Sequence, residues 1–103
     1  MTTESCEDGK ASSALSQTMK SLVPEWEVSP DGKKIWREFT FGDYSAATEF
    51  VVKIKDIANR LDHHPDQHIL CGQVMVVKVE TWTHTINGIS HKDLTLAAEI
   101  DQL

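Results

Sequence analysis

The sequence predicts a single α+β domain, in which a four-stranded antiparallel sheet carries three helices on one face in the order α-β-β-α-β-β-α. Three segments place apolar residues at the three- and four-residue steps of a helix, and pairs of segments with alternating apolar and polar residues separate them. Short turn sequences join the members of each pair, which favours antiparallel strands with the helices gathered on one face. At 103 residues the chain is long enough for one hydrophobic core and too short for two.

The first helix and the first strand pair follow an N-terminal tail. Leu15, Met19 and Leu22 recur at helical spacing. Residues 26–28 and 34–41 alternate between apolar and polar side chains, and the Ser-Pro-Asp-Gly sequence between them is typical of a turn. We therefore expect a helix followed by an antiparallel hairpin that packs one face on the core.

The longest predicted element is a second helix of about 18 residues, which at about 1.5 Å per residue is roughly 27 Å long. It begins after Asp43, whose side chain can cap a helix. Its apolar positions recur at three- and four-residue steps: Tyr44, Ala47, Val51, Ile54, Ala58 and Leu61. Because Pro65 prevents its continuation, the helix delivers an Asp-His-His sequence at 62–64 to its C-terminal end.

The second strand pair and a last helix complete the predicted fold. We expect strands at 68–71 and 74–83, separated by a Gly-Gln turn. Alternation gives the second of these strands a core face with Val77, Val79, Thr81 and Thr83, and an opposite face with Lys78, Glu80, Trp82 and His84. Ser90 and Asp93 then form the S-x-x-[DE] pattern of a capping box at the start of the last helix.

Three of the five histidines lie within six residues where the long helix stops: His63, His64 and His68. Imidazole has an unperturbed pKa of about 6.5, so it can give or take a proton near neutral pH. A fourth histidine, His84, comes at a strand end farther along the chain. The histidines therefore predict a proton-transfer centre, and the alternative is a solvated polar turn.

Composition and charge exclude several classes of protein. The formal net charge of -6 argues against a protein that follows nucleic-acid phosphates. The first ten residues are polar and acidic, so we expect 1–10 to be a disordered tail, neither a signal peptide nor a membrane span, and 11–103 to be the folded domain. The two cysteines, Cys6 and Cys71, do not form a disulfide framework, which favours a reduced, cytoplasmic setting.

The combination of motifs resembles one family of enzymes. The Asp-His-His-Pro sequence at 62–65, the Trp-Thr-His sequence at 82–84, and then Gly88 and Asp93 are similar to those of the pterin-4a-carbinolamine dehydratases, over about 15–102. The resemblance implies a lyase that removes water from 4a-hydroxytetrahydropterin (4a-hydroxytetrahydrobiopterin) to give quinonoid dihydropterin, in tetrahydrobiopterin recycling. It also implies that no metal and no organic cofactor takes part.

The resemblance further implies a set of site residues. The catalytic residues that it implies are His63, His64, His84 and Asp93. The substrate-binding residues that it implies are Asn59, Asp62, His63, His64, Pro65, Trp82, Thr83, His84, Thr85 and Ile86. Asn59 stands where many members of the family have a glutamate that contacts the pterin.

The chemistry gives the two separated histidines the leading roles. Dehydration of a carbinolamine needs a proton delivered to the departing hydroxyl and another removed from the adjacent ring nitrogen. His63 and His84 come from separate segments, so they can serve different sides of one flat ring in either role. We expect His64 to bind and polarise the substrate, and Asp93 to place its carboxylate near His84.

Structural roles compete with some of these assignments. His64 is also explained as a side chain that caps the preceding helix, and Asp93 as the acid of a capping box, which contributes about 1 kcal/mol. Asp62 is either a helix-end acid or a ligand of the pterin. We expect His91 to be a solvated residue of the first helical turn.

Two rival functions remain open. A metal could be held by His64 and His68 with a shell completed by Asp62, Asp66 and His84, but Pro65 interrupts a continuous helix across the first pair, and no H-E-x-x-H motif is present. The other rival is a non-catalytic binding or dimerisation protein of the same fold.

Partners are predicted only in outline. Some members of the family that the chain resembles are partners of a transcription factor, and nothing in the sequence supports such a partner here. We do expect a homodimer or homotetramer, because Trp36 and the valine-rich strand leave apolar surface that one small domain cannot cover.

Overall fold

The structure, a computed structural model, describes residues 13–103 of the chain, and the tail expected at 1–10 lies outside them. Its elements are α1 (Ser13–Leu22), β1 (Glu27–Val28), β2 (Ile35–Phe41), α2 (Tyr44–Leu61), β3 (Asp66–Cys71), β4 (Met75–Thr81) and α3 (His91–Ile100). This order confirms the predicted α-β-β-α-β-β-α arrangement. No helix in the described range is both long and apolar enough to cross a bilayer.

The four strands form one antiparallel sheet in the order β1-β2-β4-β3. Strand β4 is central, with Thr81 opposite Ile35 of β2 and Glu80 opposite Asp66 of β3. The helices cover one face of this sheet, as predicted. No helix among residues 13–103 covers the other face of β3 and β4, so the described sheet has a core side and an open side.

The core lies between the helices and the inner face of the sheet. Fully buried apolar side chains come from every layer: Val23, Ile35, Ile54, Val77, Val79, Ile89, Leu96 and Ile100. The predicted alternation along β4 is confirmed, because Val77, Val79 and Thr81 are buried while Lys78 and Glu80 are only partly so. Polar Thr81 at a fully buried position is therefore an exception to an otherwise apolar stripe.

Two of the strand boundaries that differ from the prediction shape the site, and the others shift by one residue. Strand β4 ends at Thr81, because Thr83 leaves the ladder and pairs instead with Gly88 as an isolated bridge. The Thr83 N–H donates to the Gly88 carbonyl at 2.7 Å, which closes a tight loop. Strand β3 begins at Asp66, directly after Pro65, so the histidine turn runs straight into the sheet.

Candidate active site

The histidine turn is formed by a left-handed residue at the end of α2. Asp62 is the C-cap, with φ 53° and ψ 44°, and its N–H reaches the carbonyls of Ala58 and Asn59. An L-residue adopts this conformation at some cost, and aspartate is among the side chains that tolerate it best. The reversal separates the next two rings: His63 keeps 12% of its side-chain surface, whereas His64 is exposed.

The centre of the site is the carboxylate of Asp93, which is fully buried at the start of α3. Its Oδ1 accepts from Thr81 Oγ1 at 2.7 Å and lies 2.6 Å from His63 Nε2. Its Oδ2 accepts from Thr83 Oγ1 at 2.8 Å and from the Ser90 N–H at 2.9 Å. Both carboxylate oxygens are therefore held by two partners each, and the predicted capping box is confirmed.

This arrangement fixes the orientation and the tautomer of one imidazole. A carboxylate oxygen only accepts hydrogen bonds, so the ring nitrogen of His63 that faces Asp93 carries a proton. The second ring nitrogen, Nδ1, is then the one available to a ligand. The pair is suited to holding and releasing a proton at Nδ1.

A cleft lies beside this pair. It measures about 220 Å³ and is lined by Leu61, His63, His91, Lys92 and Thr95. Ligand sites for drug-sized molecules usually span about 300–1,000 Å³, so the cleft suits a small molecule or one part of it. Three larger surface grooves in the described part of the chain, of about 510, 420 and 290 Å³, are lined by no histidine. His91 is exposed, as expected, and it also contributes to the wall of the cleft.

A second group of side chains surrounds the loop after β4. His84 is exposed and stacks on Trp82, with ring centroids 4.8 Å apart and planes 23° apart. Lys34 Nζ lies 4.3 Å from the centroid of the same indole. Stacking restricts the orientations of His84 while leaving its ring open to solvent. Within the same loop, Thr85 is exposed and Ile86 is partly buried.

The two groups are linked through Thr83. Its side chain turns inward to Asp93, while its chain neighbours Trp82 and His84 carry the stacked rings. Asp93 pairs with His63, and not with His84 as we expected from the sequence.

The remaining predicted residues lie on the surface of the turn. His64 Nε2 lies 3.0 Å from Asn59 Oδ1, and both side chains are exposed. This contact holds the ring against the last turn of α2, so both the capping role and the binding role predicted for His64 stay open. Pro65 is partly buried between this turn and β3.

Sequence reasoning missed one part of the site and misjudged one alternative. Thr81 was placed on the core face without a role, although a hydroxyl among buried valines was itself a signal that a polar partner lay nearby. The shell considered for a metal around His64 is not formed. Within residues 13–103, the group of three metal-binding side chains close enough to share an ion is Asp66, His68 and Glu80.

The fold and the site together define a small α+β protein with a histidine–carboxylate pair suited to proton transfer. The model of the family described as pterin 4 alpha carbinolamine dehydratase matches residues 9–103. The chain therefore belongs to the pterin-4-alpha-carbinolamine dehydratase family.

Curated relatives agree with this family. A protein of Legionella pneumophila (strain Corby), which bears the provisional name pterin-4-alpha-carbinolamine dehydratase, is 38% identical over 104 residues, which are 97% of this chain and 88% of the relative. A protein of Halorhodospira halophila with the same provisional name is 37% identical over 100 residues, covering 95% of this chain and 89% of the relative. These matches support dehydratase activity in general.

Solved structures share the fold. A Brucella melitensis protein titled transcriptional coactivator/pterin dehydratase superposes with a TM-score of 0.76 at 26% identity, covering 90% of this chain and 96% of that one. A pterin dehydratase-like protein, titled as a RuBisCO assembly factor of the alpha-carboxysome, gives a TM-score of 0.60 at 19% identity over 76% of this chain and 87% of that one. The second likeness concerns the fold alone.

Proposed function

We propose that the protein removes water from 4a-hydroxytetrahydropterins, among them 4a-hydroxytetrahydrobiopterin, and releases quinonoid dihydropterin through histidine general acid/base catalysis. The observation that carries the proposal is the contact of 2.6 Å between His63 and the buried carboxylate of Asp93. In the reaction the C–O bond at C4a breaks and the adjacent ring nitrogen loses its proton. A C=N double bond forms between C4a and that nitrogen. Water is the only other product.

The buried pair supplies one proton-transfer group. Because three donors besides His63 fix the carboxylate of Asp93, it stays an acceptor while the imidazole carries the mobile proton at Nδ1. A positioned general acid or base typically contributes about 10²- to 10⁴-fold to a rate. The carboxylate acts through the ring, since it holds the tautomer and offsets the positive charge of the protonated form.

His84 supplies the second group. Its ring is exposed, so it can exchange protons with water, and its stack on Trp82 limits the directions in which it points. Protonation of the departing hydroxyl and deprotonation of the ring nitrogen take place on different atoms of one bicycle, which suits two imidazoles from different segments. The 4a-alcohol has two stereoisomers. The histidine that acts as the acid for one stereoisomer can act as the base for the other.

The turn and the loop then supply substrate contacts. His64, held by Asn59, presents a polar ring at the turn, and we assign both to binding of the pterin. Asp62 and Pro65 from the turn complete this set. The loop contributes Trp82, Thr83, Thr85 and Ile86 to binding, with Thr83 also holding Asp93. These residues and the histidines need no metal and no organic cofactor to carry out the acid/base steps.

A coupled assay, in which an aromatic amino-acid hydroxylase generates the carbinolamine, tests the proposal. We expect His63→Ala and His84→Ala each to lower the rate of dehydration at least about tenfold, as loss of a general acid or base requires. His63→Gln is the matched variant, because an amide still donates to Asp93 but does not transfer protons. Unchanged rates in His63→Gln and His84→Ala, with folding verified by circular dichroism, would reject the assignment.

A second candidate function is that of a binding protein of the same fold. Exposed apolar side chains favour it, since Tyr44 and Val52 on α2 and Leu70 on β3 keep about half of their surface (56%, 51% and 48%). We propose that these faces are covered in a homodimer or homotetramer in the cytoplasm. Sedimentation of a monomer at micromolar concentration would contradict self-association, and a complete absence of dehydration in the coupled assay would favour the binding role.

A further inference from the structure

A group of metal-binding side chains lies on the open side of the sheet, away from the helices. Asp66 and His68 belong to β3, and Glu80 belongs to β4. Asp66 is directly opposite Glu80 in the register, and His68 is the next residue of β3 on the same face. All three are thus presented by paired strands, whose backbone holds their relative positions.

The distances match those between ligands of one small ion. The three donor atoms lie within 4.8 Å of one another, and His68 Nε2 is 3.5 Å from Glu80 Oε1. That separation exceeds the roughly 2.7–3.2 Å of an ordinary hydrogen bond. Two ligands that are each about 2.1 Å from a tetrahedral zinc ion lie about 3.4 Å apart. The other two distances both involve Asp66 and are at most 4.8 Å, so rotation of the Asp66 side chain is needed to shorten them.

We propose that Asp66, His68 and Glu80 bind a divalent transition-metal ion, with zinc as the best match. The two carboxylates offset the charge of the ion, and the imidazole nitrogen favours zinc over magnesium and calcium, which prefer oxygen ligands. Three protein ligands leave one tetrahedral position open to water or to a small anion. None of the three residues has a role in the proposed dehydration.

The ammonium group of Lys78 lies near Glu80 and has to move away when a metal ion binds. Lys78 Nζ lies 3.9 Å from Glu80 Oε2, too far for a hydrogen bond. The same ammonium lies 4.9 Å from the centroid of the Trp36 ring. A cation–π contact with this ring can hold Lys78 when Glu80 turns to the metal. The metal would then join β3 to β4 just after the histidine turn, on the face of the sheet opposite Asp93.

The site is tested by titrating untagged protein with zinc and measuring the heat of binding by isothermal titration calorimetry. Cysteine thiolates also bind zinc, so the experiment uses the Cys6→Ser, Cys71→Ser background. We expect one zinc per chain, and at least about tenfold weaker binding in His68→Ala and in Glu80→Gln, since even an outer-shell partner contributes about 10- to 100-fold. His64→Ala is the matched control, which removes an exposed imidazole outside the site and leaves zinc binding unchanged.

Tryptophan fluorescence gives an independent readout. Trp36 is opposite Glu80 in the register of β2 and β4, so Cu²⁺ bound at the site should quench its emission. The quenching should disappear in His68→Ala and decrease in Trp36→Phe. Zinc binding that is equal in wild type and His68→Ala, or that millimolar Mg²⁺ displaces, would overturn the proposal. Either result leaves the dehydration assay unaffected, so the two proposals fail separately.

Discussion

Replacement of Asp93 by asparagine tests the central contact of the site with almost no change of shape. The variant keeps one carbonyl oxygen and gains an NH₂ group, which has to face acceptors. The Ser90 N–H, at 2.9 Å from Oδ2, can only donate, so the retained oxygen has to face it. The new NH₂ group then takes the place of Oδ1, opposite the Thr81 hydroxyl and His63 Nε2.

The consequences differ for stability and for catalysis. Hydrogen bonds to a charged group contribute about 1.5–3 kcal/mol and those to a neutral group about 0.5–1.5, so two or three weakened bonds lower the free energy of unfolding by about 2–3 kcal/mol. That corresponds to a fall in Tm of about 8–20 °C for a domain of this size. His63 has to accept at Nε2, which places its proton on Nδ1, the nitrogen that the proposed proton transfer uses. We expect the rate of dehydration to fall about 10²-fold or more, as for the loss of a general acid or base.

Two measurements separate these effects. Nitrogen-15 NMR of the imidazoles should show that the ring proton of His63 moves from Nε2 to Nδ1 in Asp93→Asn. Asp101→Asn is the matched control, because Asp101 Oδ1 accepts from Trp26 and Arg37 at 2.9 Å each and takes no part in the site. It should lower stability and leave the rate unchanged. A wild-type rate and a wild-type tautomer in Asp93→Asn would refute the role given to the buried pair.

Three further predictions concern other parts of the chain. Gln67→Met should raise the free energy of unfolding by about 1 kcal/mol. Gln67 Oε1 is buried without a hydrogen-bond partner among the described residues, and an unpaired buried group costs about 1–3 kcal/mol. An unchanged denaturation midpoint would contradict this prediction. Trp82→Leu should lower the dehydration rate severalfold with folding preserved, because His84 loses the ring that orients it, and a wild-type rate would mean that the stack has no positioning role. The hydrogen bond from Ser29 holds the pKa of Asp31 below its ordinary value, so the stabilisation from Asp31 is present above its unfolded pKa and is lost as pH falls through the lower folded value. Ser29→Ala should raise the pKa of Asp31 in an NMR titration and move that loss to higher pH, and an unmoved titration would show that Ser29 is not its cause.

Local signals made much of the fold predictable. The bounds of α2 follow from a stripe of apolar residues that is flanked by Asp43 and Pro65, and the start of α3 follows from its capping box. The early end of β4 was not predictable in this way. Alternation continues through Thr83, and only the bridge to Gly88, a contact within the loop, removes that residue from the ladder.

The sequence predicted candidate residues for the site but not the contacts between them. Motifs indicated His63, His84 and Asp93 as candidates, because side-chain chemistry is visible in a sequence. The pairing of Asp93 with His63 joins residues 30 positions apart, and it depends on how α3 lies against the end of β4. The sequence pattern does not show which imidazole faces the carboxylate, and the structure shows that it is His63, while Thr83 contacts the other carboxylate oxygen.

The buried network around Asp93 has a cost for folding as well as a benefit. Removing a carboxylate from water costs several kcal/mol, and apolar replacements of buried ionic groups are often neutral or stabilising by about 1–4 kcal/mol. A capping box explains one of the four contacts of Asp93, the one to the Ser90 N–H, and a solvent-exposed acid would make that contact equally well. The hydroxyls of Thr81 and Thr83 occupy core positions where valine would fill the same space. Their shared effect is to hold the carboxylate of Asp93 against the ring of His63, which is the contact that the proposed proton transfer uses.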